Sequence, residues 1–156
     1  MKEVFLQTPI GCLHIEGDVG GVKRMTFTDQ TLTSRHIPNE LSEAARQMRE
    51  YFEGKRNEFS FALQPAGTDF QQKVWKTLLE IPFGKTISYQ ELAERLGDPL
   101  VIRAAASANG KNPIAVAIPC HRVIGSDGSL TGYAGGLSRK AWLIEHESPV
   151  KQMSLF

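Results

Sequence analysis

Residues 88–111 read SYQELAERLGDPLVIRAAASANGK, and their reading decides the architecture of the chain. Ser88 can cap a helix, with Glu91 three residues later completing a capping box. Tyr89, Leu92, Ala93 and Leu96 fall at helical spacing and form an inner face, and Gly97 closes the segment. Asp98-Pro99 then opens another helix at once, with Asp98 at the cap and Pro99 in the first turn, where its missing N–H costs nothing. Two short helices joined by so tight a turn predict a helix-turn-helix, although a plain helical hairpin has the same spacing. The second helix favours the former. Val101, Ala104, Ala105 and Ala108 are expected to face inward. Arg103, Ser107 and Gly110-Lys111 form an outer stripe that is small apart from two cations, so its backbone can approach a duplex closely.

On the N-terminal side, Thr68 or Asp69 can cap a helix carrying Phe70, Val74, Trp75, Leu78 and Leu79, ended by Pro82 and Gly84. Gln64-Pro65-Ala66-Gly67 marks a boundary, because the texture before it differs. Residues 3–8, 11–16 and 22–28 alternate apolar and polar side chains between turn signals, as strands do. Residues 40–53 carry Leu41, Ala44, Ala45, Met48, Tyr51 and Phe52 at helical spacing, and Phe59, Phe61 and Leu63 alternate like a further strand. The organisation expected is α/β: a small sheet-and-helix lobe over 1–66, a mainly helical domain over 67–150 and a tail over 151–156. A last helix is expected from Leu137 to Glu147.

Composition narrows the function. The chain has 156 residues and a net charge of +1. From Pro99 to Lys140, however, five basic residues (Arg103, Lys111, Arg122, Arg139, Lys140) face one acid, Asp127. The first 67 residues carry eight basic and nine acidic groups. The positive excess therefore gathers around the helix pair, where a phosphate backbone could be held, although a solvated basic face has the same composition. No stretch approaches the roughly 20 apolar residues that span a bilayer. The N-terminal residues hold no signal-peptide pattern, and two cysteines do not make a disulfide framework. A reduced compartment is expected, cytoplasm or nucleus.

One cysteine lies in Ile118-Pro119-Cys120-His121-Arg122-Val123, directly against two potential cations. Such neighbours suit a thiolate rather than a packing cysteine. In extended chain, adjacent side chains point apart, so His121 would reach the thiol through water or a bend. Glu147 or Glu145 could orient its imidazole. The local signatures of caspase-like and papain-like proteases are missing. Cys12 and His14 share a strand face, but the other cysteine and histidines show no paired ligand spacing, so no metal is expected. Trp75 and Trp142 read as core.

Ile118-Pro119-Cys120-His121-Arg122-Val123-Ile124 resembles the active-site motif of O6-alkylguanine-DNA alkyltransferases, the methylated-DNA–protein-cysteine methyltransferases. Ile87-Ser88-Tyr89-Gln90-Glu91-Leu92-Ala93, Arg103-Ala104, Gly110-Lys111-Asn112-Pro113 and Tyr133-Ala134-Gly135-Gly136-Leu137, with Lys140 and Trp142 through Glu147, follow in the family's order. The likeness covers residues 68–147 closely and the first lobe loosely, through Thr8-Pro9-Ile10-Gly11. It implies a ribonuclease-H-like first lobe and a winged-helix-like second one. It implies stoichiometric transfer of an alkyl group from O6 of guanine, and from O4 of thymine, in double-stranded DNA to Cys120. No cofactor, membrane or obligate protein partner is implied, and a monomer is expected.

The roles it implies are these. Cys120 accepts the alkyl group, and His121 takes the thiol proton through water while Glu147 orients it. Tyr89 donates to the departing guanine, and Asn112 braces the turn before the cysteine. Arg103 enters the duplex in place of the extruded nucleotide; the outer stripe and the basic excess, apart from the resemblance, put Ser107, Lys111 and Arg122 on the DNA as well. Tyr133, Ala134, Gly135 and Gly136 wall the pocket and offer backbone N–H groups. Cys120 separates the chain from the tryptophan-bearing, non-transferring branch of the family. The zinc ligands of some members are missing from the first lobe. A non-catalytic helix-turn-helix regulator and a Cys120 hydrolase are the rival readings.

Overall fold

A computed structural model describes residues 1–149. Its contacts divide into two compact units: Met1–Ala66 joined by Pro113–Ala117, and Gly67–Asn112 joined by the chain from Ile118 onward. The return of residues 113–117 to the first unit was not part of the sequence expectation, which left them in the second domain. The expected tail over 151–156 lies outside the described residues.

The first unit is built on a meander. Strands β1 (Lys2–Thr8), β2 (Gly11–Asp18) and β3 (Gly21–Thr28) pair antiparallel in the order β1-β2-β3, with a bulge at Glu16/Gly17. Period-two patterning puts Val4, Leu6, Leu13, Ile15 and Met25 in the core. A 3-10 turn, Asn39–Leu41, leads into α1 (Ser42–Phe52), which buries Ala44, Ala45, Met48 and Tyr51. Two further segments pair with β3. Val22 exchanges hydrogen bonds with Ala62 and Gln64, and Met25 with Pro113 and Ala115. The strand expected at Phe59–Leu63 therefore shrinks to a bridge at Leu63. Phe59 instead packs against Tyr51 at 5.4 Å and Phe61 against Phe59 at 5.6 Å; aromatic contact with α1 replaces a ladder there.

In the returning segment the Ala117 N–H bonds Ala115 O at 2.8 Å across Val116, whose φ is +69°. This tight turn about a β-branched residue is strained backbone. Val116 is buried, and its neighbour Ile114 is wholly so, which holds the conformation in place.

The second unit starts from α2 (Asp69–Leu78), capped by Thr68 in a reciprocal capping box with Gln71. Short β4 (Ile87–Ser88) leads directly into α3 (Tyr89–Arg95), whose Glu91 N–H donates to the Ser88 hydroxyl. Gly97, at φ +95°, makes the left-handed turn that ends α3. Asp98 accepts from Leu100 N–H, but Pro99–Val101 form a 3-10 turn and α4 starts only at Ile102, running to Gly110. That tighter turn shifts the helical phase. Ala105 and Ala108 are buried as expected, whereas Val101 is half-buried and Ala104 is exposed. Trp75 donates to Ala108 O at 2.9 Å and ties α2 to α4. Strand β5 (Val123–Ile124) pairs in parallel with β4, and α5 (Leu137–Glu147) closes the unit with the expected bounds.

Candidate active site

All of the expected site residues lie in the second unit, and a run of turns presents the thiol. Cys120 N–H bonds Ile118 O at 2.8 Å across Pro119, whose φ of −80° and ψ of +62° are those of an inverse γ-turn. Proline fixes that φ in advance. Cys120–Arg122 then form a 3-10 turn that feeds β5. The expected extended geometry is thus replaced by a bend, the alternative left open for the Cys120–His121 pair. Asn112 braces this run. Its side-chain amide donates to Ile118 O at 2.7 Å and hydrogen-bonds the thiol.

Behind the cysteine lies a buried charged cluster. His121 is fully buried, with Nε2 at 2.9 Å from Glu147 Oε2. A carboxylate only accepts, so Nε2 carries the proton and Nδ1 is left with a lone pair. No hydrogen-bond partner reaches Nδ1 among the described residues. Burial opposes the Glu147 charge, but the His121 hydrogen bond and the Arg122 guanidinium outweigh it and bring Glu147 down to about 2. Burial, against the pull of Glu147, keeps His121 below its ordinary value. Burial also pushes the Cys120 thiol up, partly offset by the Asn112 hydrogen bond and the Lys140 charge. The resting pair is therefore neutral thiol and neutral imidazole, not the thiolate expected from two adjacent cations.

Arg122 departs from the sequence expectation. It was placed on the DNA, yet it is only 7% exposed. Its Nε donates to Glu147 Oε1 at 2.7 Å, Nη2 to Oε2 at 3.0 Å and Nη1 to Ile81 O at 2.6 Å. The guanidinium also lies over the Phe83 ring. A fork so fully engaged is an anchor for Glu147 and not a phosphate ligand.

The face of α4 carries the remaining expected DNA contacts. Arg103 and Ser107 on α4, and Lys111 just after it, are all exposed. Beside α4 opens a cleft of about 400 Å³ lined by Tyr89, Ala106, Asn109, Gly110, Thr131, Gly132, Tyr133 and Ala134. Cys120 lies next to a lining residue: Asn109 Nδ2 is 3.4 Å from Cys120 O. The Tyr133 hydroxyl, raised well above its ordinary value chiefly by burial, has no hydrogen-bond partner among the described residues. Tyr89 lines the cleft but donates its hydroxyl proton to Thr131 O at 3.0 Å. Of the expected wall, Gly135 and Gly136 fall outside the lining. The Gly136 N–H is taken by Tyr133 O, and Gly135 O accepts from Arg139.

Two residues absent from the sequence-derived site belong to this region. Lys140 is fully buried, with Nζ at 3.0 Å from Thr131 O and 3.5 Å from the Tyr89 hydroxyl. A lysine at an inward position of α5 was the available signal, since a buried ammonium needs several acceptors around it. Asn109, near the end of α4, is 3% exposed; its polar side chain next to inward Ala108 gave only a faint sign.

One group of side chains with ligand-like spacing occurs among the described residues, on the sheet of the first unit. Glu3, His14 and Glu16 offer atoms within 4.8 Å of one another. His14 Nε2 bonds Glu3 at 2.8 Å and its ring stacks on Phe5, so this imidazole is already held. Cys12, next along that strand, donates instead to Leu32 O.

The family model for "6-O-methylguanine DNA methyltransferase, DNA binding domain" matches residues 69–149, and that for the ribonuclease-like domain of the same family matches residues 1–65. The chain belongs to this methyltransferase family. A methylated-DNA–protein-cysteine methyltransferase of Methanosarcina barkeri is 47% identical over 148 residues, covering 91% of this chain and 94% of that protein. One from Mycobacterium bovis is 45% identical, over 91% of this chain and 89% of that one. Among solved structures, that of Mycobacterium tuberculosis O6-methylguanine methyltransferase superposes with a TM-score of 0.84 at 44% identity, covering 93% of this chain and 91% of that one. A structure from the same organism in complex with DNA gives 0.83 at 46% identity, covering 92% and 90%. The α/β methyltransferase architecture expected from the sequence is the one these relatives have.

Proposed function

We propose that this chain repairs DNA by a single, irreversible transfer of an alkyl group from O6 of guanine to Cys120. O4 of alkylated thymine is a second source of the alkyl group for the same chemistry. The observation that carries the reading is the Glu147–His121 pair, which leaves a bare Nδ1 on the residue adjacent to a buried thiol, with Asn109 between that cysteine's carbonyl and a base-sized cleft. The Cys120 proton passes through water to His121 Nδ1, and Glu147 stabilises the imidazolium formed. The sulfur attacks the alkyl carbon, an S–C bond forms and the C–O bond breaks. The electron pair goes to O6, and the guanine regains a proton at N1. A thioether is not readily cleaved, so each chain acts once. Because the thiol rests protonated, the step depends on a base in place, and Nδ1 fills that role.

The lesion lies within the base stack, so the nucleotide must be flipped into the cleft. Exposed Arg103 fills the gap left in the duplex, and Ser107 and Lys111 hold the backbone. Tyr89 shifts its donation from Thr131 O to the departing base. Tyr133 and Ala134 wall the cleft, and Asn112 fixes the turn. Residues 67–112 and 118–149 make up the DNA-binding and acceptor domain, and 1–66 with 113–117 a structural lobe. The protein works as a cytoplasmic monomer on double-stranded DNA, without cofactor or metal. No helix among the described residues is long and apolar enough to cross a membrane.

The test is incubation with a duplex carrying one O6-methylguanine, followed by peptide mass spectrometry. One added methyl is expected on the peptide bearing Cys120, never more than one per chain, and Cys120→Ala should abolish it. Lesion loss with an unmodified Cys120 would overturn the proposal. Tight binding without transfer would favour a regulator.

A further inference from the structure

The solvent-facing side of α4 is uneven in one place only. Beyond Arg103 its exposed and half-buried positions hold nothing larger than Ala104, Ala106, Ser107 and Gly110. At its start, by contrast, two large apolar side chains stand in water: Leu100 is 88% exposed and Ile102 is 38% exposed. No residue of the 3-10 turn that carries Leu100 is buried.

Helical geometry gathers these side chains around the cation. Residues three apart are neighbours in a 3-10 turn and in an α-helix alike, so Leu100 stands beside Arg103. Helical side chains lean towards the N-terminus, which brings Ile102 and Arg103 over the turn that holds Leu100. Ile102 also extends the stripe of Ala106, Asn109 and Gly110 by one turn beyond the cleft that those residues line. The platform is stiff. Pro99 has its φ fixed, and Asp98 Oδ1 accepts from the Leu100 N–H at 2.9 Å. From residue 99 to residue 126 the chain has no acid, so the apolar pair sits in positively charged surroundings that suit a polyanion.

Single exposed apolar residues are ordinary, but two of them flanking the one bulky cation of a DNA-facing helix form a pattern. Proteins that part base steps do so with Leu, Ile, Met and similar wedges, because a bared base face is itself apolar. A guanidinium alone can occupy the space of a lost nucleotide while leaving much of those faces wet.

Resting on the alkyl-transfer reading, we propose that Leu100 and Ile102 form an apolar wedge that enters the duplex with Arg103 and covers the base faces bared when the alkylated nucleotide leaves the stack. The wedge separates the base step. The sulfur chemistry at Cys120 does not involve it.

The test is single-turnover methyl transfer from O6-methylguanine placed in a single strand, in a duplex between T·A pairs and in a duplex between G·C pairs. The Leu100→Ala/Ile102→Ala double variant should react about tenfold more slowly with duplex, the scale of the apolar burial removed, and little differently with the single strand. Its loss should be larger between G·C pairs than beside flexible T·A steps. Leu100→Met/Ile102→Met should keep the duplex rate, since methionine also serves as a wedge. Affinity for undamaged duplex gives an independent readout. Apolar insertion releases no counterions, so the salt slope should stay as it is, whereas Arg103→Ala should lower it by about one. The proposal is overturned if duplex and single-strand rates fall together, or if the double alanine variant loses salt slope as a missing cation would. Full duplex activity in that variant would also overturn it and would assign the apolar pair to a protein partner. Absence of transfer from every substrate by the unmodified protein would overturn the alkyl-transfer reading itself, a distinct result.

Discussion

The two sides of Cys120 are built on opposite principles. Behind it, Glu147 uses both carboxylate oxygens, shared between His121 and Arg122, and the three kinds of guanidinium nitrogen are all engaged. In front, Asn109 Oδ1 and the Tyr133 hydroxyl, like His121 Nδ1, are buried without partners among the described residues. The satisfied side fixes geometry. The unsatisfied side is kept ready for groups that arrive with the substrate. A buried ion pair contributes little net stability against a well-packed apolar replacement, but half of one is strongly destabilising. The rear cluster is therefore best understood as a positioning device, and the front as a set of unmade contacts.

The contrast can be broken most severely from the rear. Arg122→Ala leaves Glu147 buried with one partner fewer and should cost 3–5 kcal/mol, about the range for a broken buried pair, visible as a fall in the denaturant midpoint. Loss comparable to that of an exposed pair such as Arg95–Glu91 would remove the distinction. Acid attacks the same cluster. Glu147 titrates at about 2 when folded, against an ordinary 4.5, so its contribution is complete above pH 4.5 and is lost as pH falls through about 2. A shift of that size is worth about 3 kcal/mol. Urea unfolding at a series of pH values should show it, and Glu147→Gln should flatten the profile. Next in size, Trp75→Phe deletes one buried hydrogen bond to Ala108 O, and a loss of about 1 kcal/mol is expected in the same assay. The smallest effect belongs to the front. Tyr133→Phe removes a hydroxyl with no partner, so stability should be unchanged or rise by up to about 1 kcal/mol. A clear loss on calorimetry would mean that this hydroxyl is satisfied after all.

What was legible in the sequence follows the range of the forces involved. The caps at Thr68, Ser88 and Asp98, the stop at Gly97 and the span of α5 are set by neighbours within four residues, and they were readable. The inward face of α4 was half right because the 3-10 turn at Pro99–Val101 rotated the helix phase, and composition carries little sign of such a turn. Phe59 and Phe61 alternate as a strand does, but a long-range contact with Tyr51 claimed them. Charge misled at Arg122: a cation beside a cysteine resembles a DNA contact until Ile81 O, 41 residues away, and Glu147 are seen to hold it. The left-handed Val116 had no local signal at all, since that conformation disfavours valine and only tertiary packing enforces it. Cys120 and His121 were singled out by their own neighbours, the motif resemblance selected Glu147 over Glu145, and the structure brings His121 and Glu147 into contact. The idle amide of Asn109 exists only once α4 and Cys120 are assembled.

The position of Glu147 as the last residue of α5 has a dynamic consequence. Helix ends are where order is lost first, and a negative charge there opposes the helix dipole. The carboxylate that holds His121 thus stands on the part of its helix most inclined to unwind, and Arg122 and His121 are its restraints. Transient unwinding of that final turn would release the imidazole. Amide hydrogen exchange at the end of α5 should then track the fraction of molecules able to react at any instant.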